Sequence, residues 1–205
     1  MNLIHVYDTE TTNLPDFKSP SEAEHQPHIV QLASVVVDTD TWTVTAGMNV
    51  IIKPEGWVIS DEVAAIHGIT QARALAEGVS EELALRMFLA LNATAAVRVA
   101  HNVAFDDRII RIAMCRYMDK ERADAFRDLP KECTALLATP ICKIPPTPAM
   151  IKAGRKHFKT ANLGEAYKHL TGKTLDGAHN AMVDVMGCLE VYKAIKASGV
   201  KGESH

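Results

Sequence analysis

Two acidic side chains follow the first apolar run of the chain, at a spacing that suits metal binding. Leu3 to Tyr7 is apolar and β-prone and predicts a strand, with Asp8 and Glu10 at or just past its end. Residues two apart in a strand share a face, so the two carboxylates would repel each other, more strongly if buried. A divalent cation relieves that repulsion, and Mg²⁺ and Mn²⁺ prefer oxygen ligands. Taken alone, these residues are also typical of a solvated turn.

A second acidic pair follows a later apolar run, Val97 to Ala100, which predicts another strand. Asp106 has helical spacing from the apolar residues of the predicted helix Phe105 to Tyr117, so it should share the buried face. Asp107 is rotated by about 100° and is expected on the polar face, beside Arg108. Asp106→Ala should therefore abolish metal-dependent chemistry, whereas Asp107→Ala should largely spare it. A first-turn acid can also simply complement the helix dipole.

A third acid begins the last predicted helix, Met182 to Ala197. Asp184 leads its apolar stripe, and a carboxylate buried there without a partner would be costly. His179 lies five residues earlier, a rotation of about 140° on a continuous helix, so the two would not share a helical face. We therefore expect His179 in the turn before the helix, where it can reach over the acid. A lone histidine at that place is ordinarily a surface or capping residue.

Taken together and in order, these motifs resemble those of the DnaQ-like 3′→5′ exonucleases. These form the DEDDh branch of the ribonuclease-H-like superfamily, which includes the epsilon subunit of bacterial DNA polymerase III and ribonuclease T. The resemblance spans about residues 3–196, and it depends on the order and spacing of the set rather than on any one motif. The motifs are Asp8-x-Glu10, Asn102-x-x-Phe105-Asp106 and His179-x-x-x-x-Asp184.

Further segments extend the resemblance to substrate binding. Thr11-Thr12-Asn13-Leu14 is similar to the family's T-T-G-L, with Asn13 in place of glycine and expected to take a left-handed conformation. The resemblance implies that Leu14 packs against the terminal base and that the backbone of Thr11 and Thr12 holds the 3′-terminal nucleotide.

The remaining substrate residues come from three other segments. His67-Gly68-Ile69-Thr70 resembles the family's H-G-I-T, which places His67 in the nucleotide pocket. Asn102 and Phe105 join the substrate site by the same resemblance, although Phe105 could equally belong to the core. Gln31 replaces an acid typical of the second strand, and we interpret that position as structural.

The chemistry that the resemblance implies is a two-metal hydrolysis. Asp8, Glu10, Asp106 and Asp184 would bind two Mg²⁺ or Mn²⁺ ions. His179 would act as the general base, since a histidine can take a proton from water at neutral pH. The substrate would be a single-stranded 3′ end, DNA more readily than RNA, and the products nucleoside 5′-monophosphates.

Two alternatives remain open from the sequence. One is an RNA exonuclease of the ribonuclease T or oligoribonuclease kind, because the residues that would sense a 2′-hydroxyl cannot be identified. The other is a non-catalytic nucleic-acid-binding or polymerase-partner module on the same fold. A polymerase partner, proofreading, repair and the oligomeric state are likewise left open.

The elements that would position these residues indicate one α/β domain. A chain of 205 residues fits a single domain, expected over residues 1–197 with a disordered tail at 198–205. Ile29 to Val37 and Thr41 to Lys53 predict two further strands, in an antiparallel meander with the first. Together with the helices this indicates a mixed five-stranded sheet of the ribonuclease-H-like type, with meander and parallel strands flanked by helices.

Composition limits the class of protein. The net charge of −3 argues against nucleic-acid binding by bulk charge alone. The four cysteines form no C-x-x-C pair, so no zinc ribbon is indicated. Met1 leads directly into a predicted strand and no apolar run reaches membrane-spanning length, so we expect a cytoplasmic protein without a membrane partner.

A cationic stretch precedes the third motif. Lys143 to Lys159 contains four lysines and one arginine and no acid. Its proline-rich beginning, Ile144 to Pro148, predicts a loop. The stretch could hold backbone phosphates or be a solvated, mobile surface loop, and the sequence favours neither.

Overall fold

The computed structural model describes residues 2–199, in which helices flank a five-stranded sheet. The strands are β1 (Leu3–Thr11), β2 (Ile29–Asp38), β3 (Thr43–Ile51), β4 (Val97–Ala100) and β5 (Lys131–Cys133). The helices are α1 (Asp61–His67), α2 (Gln71–Glu77), α3 (Glu81–Asn92), α4 (Val103–Tyr117), α5 (Lys120–Asp128), α6 (Thr134–Cys142), α7 (Pro148–Lys152), α8 (Leu163–Thr171) and α9 (Ala181–Ala197). Within residues 2–199, no helix is both long enough and apolar enough to cross a bilayer.

The strand order is β3-β2-β1-β4-β5. β1, β2 and β3 form an antiparallel meander, whereas β4 runs parallel to β1 and β5 parallel to β4. The predicted mixed sheet is therefore confirmed. The sequence pattern did not locate the fifth strand, because three residues, two of them charged, carry no readable periodicity.

Strand β1 divides the two cores of the domain. Tyr7 packs with α3 and α4 on one face, whereas Val6 packs with α9 on the other. Because residues two apart share a face, Asp8 and Glu10 are directed toward the α9 side. β1 continues to Thr11, so these acids lie inside the strand rather than at or past its end, as the sequence had indicated. Pairing with β2 on one side and β4 on the other makes β1 a central, rigid strand.

Gln31 fixes the start of α9 against β2. Its side-chain Oε1 accepts a hydrogen bond from the backbone N–H of Ala181 at 3.1 Å, and its Nε2 donates to Asn49 Oδ1 at 2.8 Å. The first residue of the helix that carries Asp184 is thereby tied to the sheet. This contact supports the interpretation of Gln31 as structural.

Asp107 is buried, and its expected place on the polar face of α4 is wrong. Arg98 donates to its two oxygens at 2.7 and 2.8 Å, Tyr7 donates at 2.6 Å and Lys131 at 2.7 Å. Burial by itself would raise the pKa of Asp107, but the hydrogen bonds and charge of Arg98, together with the hydrogen bonds from Lys131 and Tyr7, outweigh it and hold that pKa below its usual value. The side of α4 next to its buried apolar face is covered by β4 and β5 rather than by water.

Two expectations about irregular segments are refined. Ile144 to Thr147 is irregular as predicted, but Pro148 opens α7, where the Thr147 side chain accepts a hydrogen bond from Met150 N. Of the expected tail at 198–205, Ser198 and Gly199 follow α9, and residues 200–205 lie outside the described part of the chain. The domain limit at residue 197 stays a prediction.

The buried ion pair leads to a stability prediction. Asp107→Ala leaves the Arg98 guanidinium buried without its carboxylate, which should lower the free energy of unfolding by about 3–5 kcal/mol. Urea denaturation at neutral pH measures it. The control is Asp124→Ala, which removes an acid whose pairs with Arg111 and Arg127 lie nearer the surface and should cost about 1 kcal/mol or less. Equal losses in the two variants would contradict the assignment of Asp107 to a buried structural pair.

Candidate active site

The three acidic motifs meet in one cleft of about 390 Å³, where β1 and β4 end and α4 and α9 begin. β1 contributes Asp8 and Glu10, and the first turn of α4 contributes Asp106. The first turn of α9 contributes Asp184, and the turn before it His179. The other lining residues are Thr9, Thr11, Asn13, Leu14, Val63, Ile66, His67, His101, Asn102 and Phe105.

Three potential metal ligands lie especially close together. One donor atom each of Glu10, His179 and Asp184 lies within 4.8 Å of the others. Asp8 and Asp106 line the same cleft, but within residues 2–199 neither belongs to a group of three donors spaced this closely. The sequence placed His179 beside the metal site as a base, whereas this spacing also allows it to be a ligand.

Burial and mutual repulsion raise the pKa values of the acids on β1. Burial raises the pKa of Asp8 well above its usual value, and the negative charges of Asp106, Asp184 and Glu10 raise it further. Burial, followed by the charge of Asp184, raises the pKa of Glu10 to about 7. In the absence of a cation, these groups therefore hold their protons to higher pH in the folded protein than in the unfolded chain.

Asp106 is held in a fixed orientation by the strand it faces. The backbone N–H and the hydroxyl of Thr9 both donate to its Oδ1, at 3.0 and 2.8 Å. Burial nevertheless raises the pKa of Asp106 to about 7, because it outweighs the two hydrogen bonds from Thr9. Asp106 is 2% exposed, so its expected burial is confirmed.

His179 and Asp184 are joined through the backbone. The His179 N–H donates to Asp184 Oδ2 at 2.9 Å, and His179 lies in the turn before α9, with its side chain exposed. Burial raises the pKa of Asp184, against the opposing effects of the His179 N–H and ring. His179 has a φ of 67°, a left-handed conformation that Asn, Asp and His tolerate better than most side chains. Such strain is typical of functional sites.

These residues fit a divalent cation. Asp107 has three cationic or hydroxyl donors, but the acids of the cleft have no lysine or arginine paired with them among the described residues. Their donors are carboxylate oxygens, with one imidazole in reach, which suits Mg²⁺ or Mn²⁺. A bound cation would remove the repulsion that raises the pKa values of Asp8 and Glu10.

Five of the six residues expected to bind substrate line the cleft: Thr11, Leu14, His67, Asn102 and Phe105. Leu14 is 76% exposed, so its side chain is free to contact a ligand. Thr12 is turned away: its N–H donates to His28 O at 3.0 Å, and its hydroxyl accepts from His28 N at 3.0 Å.

The turn after Glu10 differs in detail from the expectation. Asn13 does not take a positive φ, so its predicted left-handed conformation is wrong. Instead, the Thr11 hydroxyl donates to Asn13 O at 2.8 Å, and Asn13 Oδ1 accepts from Leu14 N at 2.8 Å. The second of these bonds uses the Asn13 side chain and could not be made by a glycine, and both shape the turn that presents Leu14.

His67 presents a hydrogen-bond donor to the cleft. The Ile69 N–H donates to His67 Nδ1 at 3.1 Å, so in the neutral ring Nε2 carries the proton. Burial lowers the pKa of His67, and the charge of His179 lowers it further, which favours that neutral form. Nε2 is buried and has no partner within the described part of the chain. It is therefore suited to donate to a ligand oxygen.

Asn102 and His101 form the turn between β4 and α4. Asn102 has a φ of 68°, and its side chain makes no capping hydrogen bond, which leaves the amide available to a ligand. His101 lies between Thr134 Oγ1, 2.9 Å from its Nδ1, and Ala161 O, 3.0 Å from its Nε2. Sequence reasoning missed His101 and Thr9, although both adjoin motif residues.

Comparison with known proteins agrees with this geometry. The family model RNase_T, described as "Exonuclease", matches residues 5–192. No curated protein sequence matches the chain. Among solved structures, exonuclease I is 21% identical with a TM-score of 0.70, over 96% of this chain and 41% of its own.

Two further structures are of Escherichia coli exonuclease I. One is a complex with a dT13 oligonucleotide, 20% identical with a TM-score of 0.69, and the other a zinc-bound complex with single-stranded DNA, 20% identical with a TM-score of 0.68. Each alignment covers 96% of this chain and 41% of the other. This chain thus spans less than half the length of those proteins, and at such identities the likeness shows the fold.

The raised pKa values predict how pH and metal affect stability. Between about pH 4 and pH 7, folded metal-free protein holds protons on Glu10 and Asp106 that the unfolded chain has released. Its stability should therefore fall as pH rises through that window, by up to about 1.4 kcal/mol per pH unit and proton. Mn²⁺ replaces those protons, so it should raise the melting temperature more at about pH 8 than at about pH 5.

Asp106→Asn provides the matched variant. The amide oxygen can still accept both bonds from Thr9, while the charge is removed. At about pH 8 the metal-free variant should melt higher than the metal-free wild type and gain little from Mn²⁺. An equal Mn²⁺ shift at both pH values, or a lower melting temperature for the variant, would contradict the proposed repulsion.

Proposed function

This chain belongs to the RNase_T family of exonucleases, and we propose that it removes nucleotides one at a time from the 3′ end of single-stranded DNA. The products would be nucleoside 5′-monophosphates. Exonucleases of this family depend on divalent metal ions. We propose Mg²⁺ or Mn²⁺ as the ion in this chain, with two ions bound per site.

The observation that carries the proposal is the convergence of four carboxylates and a histidine in one cleft. Asp8, Glu10, Asp106 and Asp184 come from three separate elements, and burial raises the pKa of each. A module that only binds nucleic acid has no use for such a cluster, because carboxylates repel phosphates as well as one another. A hydrolase that binds metal ions needs such a cluster to hold them.

The preference for DNA is supported by the solved structures. The exonuclease I structures of similar fold include complexes with dT13 and dA16 oligonucleotides. The cleft of this chain has exposed apolar edges suited to an unpaired base, among them Leu14 and Ile66, which are 76% and 57% exposed.

The roles of the chain's own residues follow from their geometry. The four carboxylates would hold the ions, which supply charge stabilisation at the phosphate and a lower pKa for water. Thr9 would keep Asp106 oriented, and His67 Nε2–H and the Asn102 amide would bind the terminal nucleotide. His179, exposed at the rim and anchored to Asp184 through its backbone, would take the proton of the attacking water.

Polarity and sugar preference are tested with one oligonucleotide sequence made as DNA and as RNA, labelled at either end. With Mn²⁺, the 3′-labelled DNA should release a labelled mononucleotide first, and the 5′-labelled DNA should shorten progressively. Faster digestion of the RNA would mean that RNA, rather than DNA, is the preferred substrate. Release of the 5′ label first would contradict the polarity, and no digestion of either polymer would favour a non-catalytic module.

The role of His179 is tested with His179→Asn, since asparagine accepts the left-handed backbone at this position better than alanine. Loss of a general base should lower kcat by about 10²- to 10⁴-fold, with little change in the Mn²⁺ concentration that gives half-maximal activity. His169→Asn, on the exposed surface of α8, is the control and should change neither. A parallel loss of metal affinity would make His179 a metal ligand instead.

A further inference from the structure

A cationic surface lies beside the cleft and has no role in the chemistry proposed above. The basic segment, residues 143–159, carries Lys143, Lys152, Arg155, Lys156 and Lys159, and no acid occurs before Glu165. The protein as a whole has a net charge of −3. The segment is therefore a local concentration of positive charge on an acidic protein.

Most of these cations are free to bind a ligand. Lys159 pairs with Glu165 at 2.5 Å. The side chains of Lys143, Lys152, Arg155 and Lys156 are exposed, and none has an ion-pair partner in the described chain. By contrast, Arg98, Arg108 and Arg116 are committed to internal hydrogen bonds.

The basic segment is anchored next to the cleft. Its ends are joined by a hydrogen bond from Lys159 N to Ile144 O at 2.9 Å. Two residues further on, Ala161 O lies 3.0 Å from Nε2 of His101, which lines the cleft. The side chain of Ala161 is buried, so this attachment is part of the core. The segment thus projects as a closed loop from the edge of the cleft.

A polynucleotide needs such a surface here. The cleft, at about 390 Å³, has room for a terminal nucleotide rather than a strand, and its acids repel the phosphates that follow. Affinity for single strands comes from cations along the backbone and from aromatic rings on which bases stack. The basic segment has both, since Phe158 is 44% exposed between Lys156 and Lys159.

We propose that the basic segment binds the single strand on the 5′ side of the terminal nucleotide. Lys152, Arg155 and Lys156 contact backbone phosphates, and the ring of Phe158 stacks with a base. This inference rests on the proposed function, which supplies the strand and its direction. It adds a binding surface that holds the polymer while its end occupies the cleft.

The test compares two triple variants of equal charge. Lys152→Gln/Arg155→Gln/Lys156→Gln neutralises the basic segment. Arg122→Gln/Arg127→Gln/Lys193→Gln neutralises exposed cations elsewhere: Arg122 and Arg127 lie on α5, and Lys193 is near Trp42, at the opposite end of the sheet from the cleft. All six positions are on the surface, and melting curves check that both variants fold.

Binding is measured in EDTA, which stops metal-dependent digestion, by fluorescence anisotropy of a labelled oligothymidylate about 20 nucleotides long. Each lost phosphate contact should reduce the slope of log affinity against log salt concentration by about 0.7. With three cations removed, the slope of the segment variant should be smaller by about 2, and the variant should bind about tenfold more weakly at low salt. The control variant should match the wild type. Phe158→Ala should weaken binding severalfold with an unchanged slope.

Equal slopes and affinities in the two triple variants would overturn the proposal. Hydrolysis of the p-nitrophenyl ester of thymidine 5′-monophosphate with Mn²⁺ separates this failure from that of the proposed function, because the ester reaches only the cleft. If the wild type cleaves the ester while the two triple variants bind DNA equally well, the proposed nuclease activity holds and the proposed role of the basic segment is wrong. If the wild type cleaves neither the ester nor DNA but the salt slope of the segment variant is still smaller, strand binding by the basic segment holds and the proposed nuclease activity is wrong.

Discussion

Repulsion among buried carboxylates is the constraint on which this structure depends. Asp8, Glu10, Asp106 and Asp184 are brought together by a central strand and the first turns of two helices, where burial raises their pKa values. A fold selected for stability alone would separate or pair them. Among the described residues no lysine or arginine pairs with them, so their negative charge must be compensated by protons or divalent ions.

The surrounding contacts hold this unfavourable cluster in place. Adjacent residues of α4 have different roles. Asp107 is neutralised by Arg98 and Lys131 and anchors the helix to β4 and β5. Asp106 has no lysine or arginine partner within residues 2–199 and is aligned by Thr9. Gln31 fastens the start of α9 to β2 in the same way. The contacts of Asp107 and Gln31 thus hold α4 and α9 in place without using the acids that would bind metal.

Much of this arrangement could be predicted from the residues, since the central strands are strongly apolar and the acids fall at readable spacings. Asp8, Glu10, Asp106 and Asp184 do line one cleft, and His179 does precede α9. The expectation for Asp107 failed because it depended on contacts distant in sequence. Among its partners, Tyr7 lies 100 residues away and Lys131 lies 24 residues away. Helical periodicity carries no information about such contacts. At Asn13 the difference is local: its side-chain Oδ1 accepts from Leu14 N, a hydrogen bond that the glycine of the family pattern cannot make.

The most direct measurement of the central claim is anomalous diffraction at the manganese edge from crystals grown with Mn²⁺. The account predicts two anomalous peaks in the cleft, each about 2.0–2.3 Å from oxygens of the four carboxylates. Absence of any peak among Asp8, Glu10, Asp106 and Asp184, with their oxygens turned apart, would contradict it.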